Sequence, residues 1–157
     1  AARYRGTDVV GVVVDPCHGD EFVAASGRGA TRNGAGLRLA DPPPIAELLV
    51  ATGFGYDPER RSRQVDVLRH LLPRVRDTRR MGAASVDLCS VALGRVDAYY
   101  ELGLAAWDLA AGVVIAREAG ARVEELHGGD PAPGGVVVAS HPAVWDELAA
   151  LLVDAGL

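Results

Sequence analysis

The chain has 157 residues, a net charge of −5 from 21 acidic and 16 basic residues, 49% hydrophobic residues and 24% charged ones. That length fits one domain able to bury roughly two-thirds of the surface its unfolded chain exposes, and the composition excludes disorder, collagen and coiled coil as the main state. The acidic balance argues against a non-specific nucleic-acid binder, which would carry a basic surplus. Two cysteines, Cys17 and Cys89, are too few for a disulfide framework or a Cys-based zinc site, so a reducing, cytoplasmic setting is expected. All 16 bases are Arg, a bias of the kind a GC-rich genome imposes. The longest apolar stretch, residues 102–116, is interrupted by Asp108 and falls short of the ~20 residues of a membrane span. The sequence opens with no basic segment leading into an apolar one, so no signal peptide is expected.

Residues 9–14 are short and β-branched and predict a strand. Asp15-Pro16-Cys17-His18-Gly19-Asp20 is turn chemistry, and residues 21–25 predict the return strand of a hairpin. Gly27, Gly29, Asn33, Gly34 and Gly36 then mark a loop with several positions suited to positive φ. Asp41 and the prolines at 42–44 forbid continuation of helix or sheet, but a strand pattern resumes at residues 48–51, so one domain is expected over 1–157. Val65, Leu68, Leu71 and Leu72 recur at helical spacing between residues 59 and 75. A second helix is expected over 83–93, with Val86, Cys89 and Leu93 on one face and Gly94 as its stop. There follow a strand over 96–101, a helix from Asp108 to about Ala119 closed by Gly120, strands at 122–124 and 136–139, and a last amphipathic helix over 142–155 that turns Val144, Leu148, Leu151 and Leu152 inward. Alternating strands and helices predict an α/β or layered α+β fold, and no internal repeat is visible.

Several of these segments could carry chemistry. The helix after Asp108 is apolar nearly all round, which predicts burial. Asp108 then reads either as a plain N-cap, worth about 1 kcal/mol, or as a carboxylate fixed at a buried helix start and available to a hard metal ion. Glu101 ends the preceding strand and either faces the same cleft or lies in solvent. Arg79-Arg80-Met81-Gly82-Ala83-Ala84-Ser85 is a strand-to-helix junction of small residues. Its free N–H groups could bind a phosphate or hydroxyl, or the small side chains could serve close packing. Asp87 and Asp97 read as structural or surface acids. Asp15, Cys17, His18, Asp20 and Glu21 have the composition of a metal cluster, but they sit in one hairpin turn with no partner cluster. His70, His127 and His141 lack ligand spacing, and Ser26, Ser85 and Ser90 lack a nucleophile-elbow context. Gly27-Arg28-Gly29 is too short for a phosphate-loop signature.

Five motifs occur in order along the chain. Gly27-Arg28-Gly29-Ala30 with Asn33-Gly34 is similar to G-x-G-A-x-x-N-G, and Ala51-Thr52-Gly53-Phe54 to A-T-G-F. Arg79-Arg80-Met81-Gly82-Ala83-Ala84 is similar to R-R-x-G-(S/A/T)-A, and residues 94–101 to G-R-x-D-x-(Y/F)-x-E. Trp107-Asp108-Leu109-Ala110-Ala111-Gly112 is similar to W-D-x-A-A-G. Together they resemble the inositol monophosphatase family, magnesium-dependent and lithium-sensitive phosphatases of inositol and related sugar phosphates. The resemblance implies a layered α-β-α-β-α sandwich, usually a homodimer, acting on a small phosphate monoester. It makes Asp108 a Mg2+ ligand and Glu101 an acceptor of hydrogen bonds from substrate hydroxyls. The backbone of Gly82, Ala83 and Ala84 would line the substrate.

The chain also departs from the family pattern. The earlier G-E-E and D-P-x-D-G-T-x-N-F segments, which hold the other metal ligands and the water-activating residues, are absent. Asp15-Pro16 has the Asp-Pro, but His18 and Asp20 stand where Asp and Thr are required. The chain therefore reads as the C-terminal part of the family fold, with no certain catalytic residue of its own. By itself it is expected to be a catalytically inactive, aggregation-prone remnant or subunit.

Overall fold

The structure is a computed structural model and describes residues 1–157. A first sheet is formed by β1 (Ala2–Tyr4), β2 (Thr7–Asp15), β3 (Asp20–Ala25), β4 (Ala30–Arg32) and β5 (Ala35–Leu37), paired in that order as an antiparallel meander. The rest of the chain runs through β6 (Leu49–Thr52), α1 (Pro58–Leu71), β7 (Asp77–Arg79), α2 (Ala84–Leu93), β8 (Ala98–Leu102), α3 (Ala106–Glu118), β9 (Arg122–Glu125), β10 (Val136–Ser140) and α4 (Pro142–Asp154). Single 3-10 turns lie at Ile45–Glu47 and Leu72–Arg74. The second sheet has the order β7-β6-β8-β10-β9, with β7, β6 and β8 parallel and β10 antiparallel to both of its neighbours.

Three apolar clusters stack these elements into four layers. Phe22, Ala24 and Val13 of the first sheet pack on Cys89, Ala92, Val114 and Ile115 of α2 and α3. The other side of the same helix pair, through Leu88, Val91, Leu109 and Val113, packs on Ala51, Tyr99 and Val137 of the second sheet. That sheet's far face, through Val50, Tyr100 and Val138, receives Val67 and Leu71 of α1 with Leu148 and Leu152 of α4. The period-two alternation of strands therefore sends Tyr99 to one layer and Tyr100 to the other. The central helices approach closely at Gly112, where a Cβ would come within 2.8 Å of Leu88 Cδ1. The mixed α/β class expected from the sequence is what the structure shows, and its order of sheet, helices, sheet, helices is four of the five layers that the resemblance implies.

Local differences have identifiable causes. Residues 30–37, expected as loop, form the β4–β5 hairpin, turned at Asn33 and Gly34 with φ of 50° and 79°. Positive φ at both central positions is the two-residue hairpin geometry favoured by Asn-Gly. Val65 of α1 and Leu72 of the following 3-10 turn are exposed, and the inward face of α1 is Gln64, Val67 and Leu71. Asp108 is not the N-cap of α3: Ala105 holds that place, and Asp108 is the third residue of the helix.

Candidate active site

The parallel pairing sets Val50 beside Ala98, Ala51 beside Tyr99 and Thr52 beside Tyr100. Each of the parallel strands β6, β7 and β8 is followed after a short link by a helix, so α1, α2 and α3 all begin at the same end of the sheet. Ligand crevices in open α/β sheets form at the C-terminal ends of the strands, and helix N-termini favour anions there.

Glu101 and Asp108 meet at this end. Glu101, near the end of β8, is half-buried, and its Oε2 accepts a hydrogen bond from the Tyr99 hydroxyl at 2.7 Å. Burial raises its pKa, the nearby Asp108 charge adds to that rise, and the Tyr99 hydroxyl and Arg80 oppose it. Asp108 is half-buried in the first turn of α3, where its Oδ2 accepts the Ala105 N–H at 2.9 Å. The carboxylate thus satisfies one orphan donor of the helix start, as the third helical residue of a capping box does, and keeps its other oxygen free of protein hydrogen bonds.

Gly82, Ala83 and Ala84 form the start of α2. Gly82 has φ +95° and lies against the Arg80 guanidinium, and no side chain caps the helix at Ala83. Gly82 and Ala83 are exposed, so the first-turn N–H groups of α2 are available to a ligand.

Other residues at this end carry a weaker signal in the sequence. Asp87, one turn into α2, is fully buried, and neither carboxyl oxygen has a hydrogen-bond partner. Burial, reinforced by the Glu101 charge, pushes its pKa up to about 7. It is therefore a core acid behind Glu101 and not a surface one. Its one sequence signal is a lone charge among Val86, Leu88 and Cys89. Gln64 of α1, buried on the inward face, donates from Nε2 to Gly53 O at 3.1 Å and accepts the Gly55 N–H at 2.9 Å, which fixes the loop after β6. A side chain on Gly53 would overlap the Glu101 carboxylate, which accounts for the glycine in Ala51-Thr52-Gly53-Phe54.

Several other acids and histidines are engaged elsewhere, and the His127 side chain has no hydrogen-bond partner. Asp97 Oδ2 accepts the Leu49 N–H at 2.7 Å, clipping β6 to the start of β8. Asp15 pairs with His18 at 2.6 Å, and buried Asp20 binds Arg32 and Arg95 at 2.6 and 2.7 Å. His70 Nδ1 lies 2.8 Å from Asp66 O, and His141 caps α4. No three His, Cys, Asp or Glu side chains converge so as to hold a metal ion. Magnesium takes near-octahedral oxygen coordination, and the donor set within these residues does not fit it. Asp108 offers one carboxylate and the shell needs more.

A sequence profile of the inositol monophosphatase family matches residues 1–157. The inositol-1-monophosphatase SuhB of Mycobacterium tuberculosis is 44% identical over 155 residues, covering 96% of this chain and 53% of that protein. A Pasteurella multocida protein named Nus factor SuhB is 41% identical over 150 residues, covering 94% of this chain and 56% of its own length. The solved structure of Mycobacterium tuberculosis SuhB superposes with a TM-score of 0.88 at 42% identity, over 98% of this chain and 62% of that one. The inositol monophosphatase of Anabaena superposes with a TM-score of 0.85 at 35% identity, over 95% of this chain and 60% of that one. The chain belongs to the inositol monophosphatase family, a family of phosphatases that generally use metal ions. It spans about half the length of the curated relatives it matches.

Proposed function

We propose that this protein serves the hydrolysis of a phosphate monoester of inositol or a related polyol, with magnesium as the cofactor. The observation that carries this reading is the meeting of Glu101, Asp108 and the uncapped start of α2 at one end of the parallel strands. Asp108 contributes one carboxylate to the metal, and the other ligands come from residues outside this chain. Glu101 accepts hydrogen bonds from the polyol hydroxyls, with the Tyr99 hydroxyl fixing its orientation. The backbone of Gly82, Ala83 and Ala84 lines the substrate, whose anionic charge the helix start favours. The partner is a small phosphate ester in place of nucleic acid or membrane. No helix is long and apolar enough to cross a membrane. The setting is cytoplasmic, and the working state is a homodimer.

The second reading concerns the 157 residues alone: a single domain without turnover, acting at most as a subunit. The incomplete metal donor set favours it. Phosphate release from inositol 1-phosphate and other sugar phosphates, with and without millimolar magnesium, tests both readings. Turnover is expected in a protein that also carries the remaining metal-binding carboxylates, and none from residues 1–157. Magnesium-independent release, or no release by the larger protein, would sink the first reading. Metal-dependent release by residues 1–157 would sink the second.

A further inference from the structure

We infer that Arg60 is a specificity residue whose guanidinium binds an oxyanion, carboxylate or phosphate, at the far end of a polyol phosphate held by Glu101. The inference rests on the polyol-phosphatase reading above and adds to it the chemical class of the substrate's second group.

The ground is the placement of two side chains on one pair of strand ends. β6 and β8 pair in parallel as far as Thr52 beside Tyr100, so residues 53–55 and 101–103 continue from both strands at the same end of the sheet. The Glu101 carboxylate lies over Gly53. The Arg60 side chain lies over Gly55 and Gly103: a Cβ on Gly55 would meet its Cδ at 2.6 Å, and one on Gly103 would overlap its Nη1. Arg60 and Glu101 therefore both lie against the segments that continue from β6 and β8 at this end. Glycine at 53, 55 and 103 leaves room for both side chains to lie against the backbone.

The backbone of Arg60 is fixed, because Asp57 caps α1 by accepting the Arg60 N–H at 2.8 Å. Its guanidinium is much less committed. Its one hydrogen bond is a long one, 3.4 Å from Nη1 to Gly103 O, and no carboxylate comes within ion-pair distance. Arg60 is exposed. A guanidinium carries five N–H donors in a fixed fork suited to carboxylate and phosphate. Here most of that fork is unused, at the mouth of a site whose neighbouring carboxylate is half-buried. A polyol whose hydroxyls lie against Glu101 brings its far end towards Arg60, where an oxyanion completes the fork.

The test compares sorbitol 6-phosphate with 6-phosphogluconate, which share a carbon chain and differ in a terminal carboxylate. Inositol 1-phosphate is the reference substrate, and the protein includes the residues that complete the metal site. The carboxylate-bearing ester is expected to have the lower KM, by about tenfold, the worth of one charge-assisted hydrogen bond. Arg60→Gln should erase that gap by weakening the apparent affinity for the carboxylate-bearing ester, with a much smaller change in kcat, and Arg60→Lys should restore part of it. Equal KM values in the unsubstituted protein would overturn the inference. So would equal losses on both substrates with falling kcat in Arg60→Gln, the signature of a strap that only holds Gly103. Turnover of inositol 1-phosphate without selectivity between the two test compounds would remove the role of Arg60 and leave the phosphatase reading standing. Failure of all three substrates would remove both.

Discussion

Asp108 and Glu101 are carboxylates at the same end of one sheet, but their substitutions are expected to fail in different ways. Asp108→Asn keeps the size of the side chain and an oxygen able to accept the Ala105 N–H, so α3 should still be capped. The lost charge at a helix start costs about 0.3–1 kcal/mol, within reach of a folded protein. In a protein that also carries the remaining metal-binding carboxylates, phosphate release should nevertheless fall by orders of magnitude, because the magnesium site proposed above would lose a charged ligand. A circular-dichroism melt alongside the activity assay separates the two effects, and near-normal turnover would exclude the ligand role. Glu101→Gln should instead reorder the preference among sugar phosphates, with magnesium affinity little changed. Equal losses on every substrate together with weaker magnesium binding would make Glu101 a metal residue. Asp87 gives a third prediction, on pH. Its native pKa of about 7 lies above the ordinary value of 3.8, so between about pH 4 and 7 the folded state holds a proton that the unfolded state has released. Stability therefore falls as pH rises through that window, by about 1.4 kcal/mol per unit and about 4 kcal/mol in all. Asp15 and Asp20, whose hydrogen bonds to His18, Arg32 and Arg95 lower their pKa, act oppositely and only at the acid end, below their ordinary value. Asp87→Asn should remove most of the loss between pH 4 and 7 in urea titrations at low protein concentration, leaving the smaller contribution of Glu101, whose pKa burial also raises. A wild-type stability that is flat or rising across that window would refute the buried, partnerless assignment.

Packing decides the outcome at the level of the elements. Gly112 lies inside α3, where glycine costs about 1 kcal/mol relative to alanine, so Gly112→Ala would stabilise an isolated helix. In this fold the added Cβ would lie 2.8 Å from Leu88 Cδ1, 2.9 Å from Leu88 Cβ and 3.3 Å from Ser85 Cα. Overpacking of that kind costs about 1–3 kcal/mol, so the net effect should be destabilising, by up to about 2 kcal/mol. That corresponds to a few degrees of melting temperature in a chain of this size, and a rise in melting temperature would show that α2 gives way. The same helices show why much of the fold is legible in the sequence. The buried α2 and α3 announce themselves by apolar runs closed by Gly94 and Gly120, and β2 and β3 by a short β-branched run, a turn and a return strand. The β4–β5 hairpin is not legible as strand, because Ala-Thr-Arg and Ala-Gly-Leu are too short to alternate, although Asn33-Gly34 carries the turn. The inward face of α1 differs from the apolar spacing because it includes Gln64. Its amide is satisfied by the backbone of Gly53 and Gly55, and no hydrophobic period reports a buried polar residue of that kind. Asp87 is hidden for the same reason, and Arg60 because one of the two glycines it covers, Gly103, is remote from it in sequence. Glu101, Asp108 and the start of α2 are legible through the motifs that contain them.

The four layers leave the two sheets in unlike positions. The second sheet is covered on both faces by helix pairs, whereas the first is covered on one. Its outer face presents Val12 and Val14, exposed to 48% and 59%, and β1 carries Tyr4 at 62%. β1 and β5 are also open edges. Edge strands and continuous apolar surface both promote association, and each valine gains about 1.5–3 kcal/mol on full burial. Covering an apolar area of ~400 Å² would contribute about 10 kcal/mol, comparable to the whole stability of a domain. Residues 1–157 alone are therefore expected to be compact but self-associating, with the outer face of the first sheet as the contact. Sedimentation velocity over a concentration series should show mixed species that shift towards monomer in the double variant Val12→Lys, Val14→Glu. Far-UV circular dichroism should stay unchanged, because neither side chain points into the Phe22–Ile115 core. A concentration-independent monomer that melts cooperatively before any substitution would show that the uncovered face does not drive association. An oligomer that persists unchanged in the double variant would place the contact elsewhere, with the open edges of β1 and β5 next to be tested.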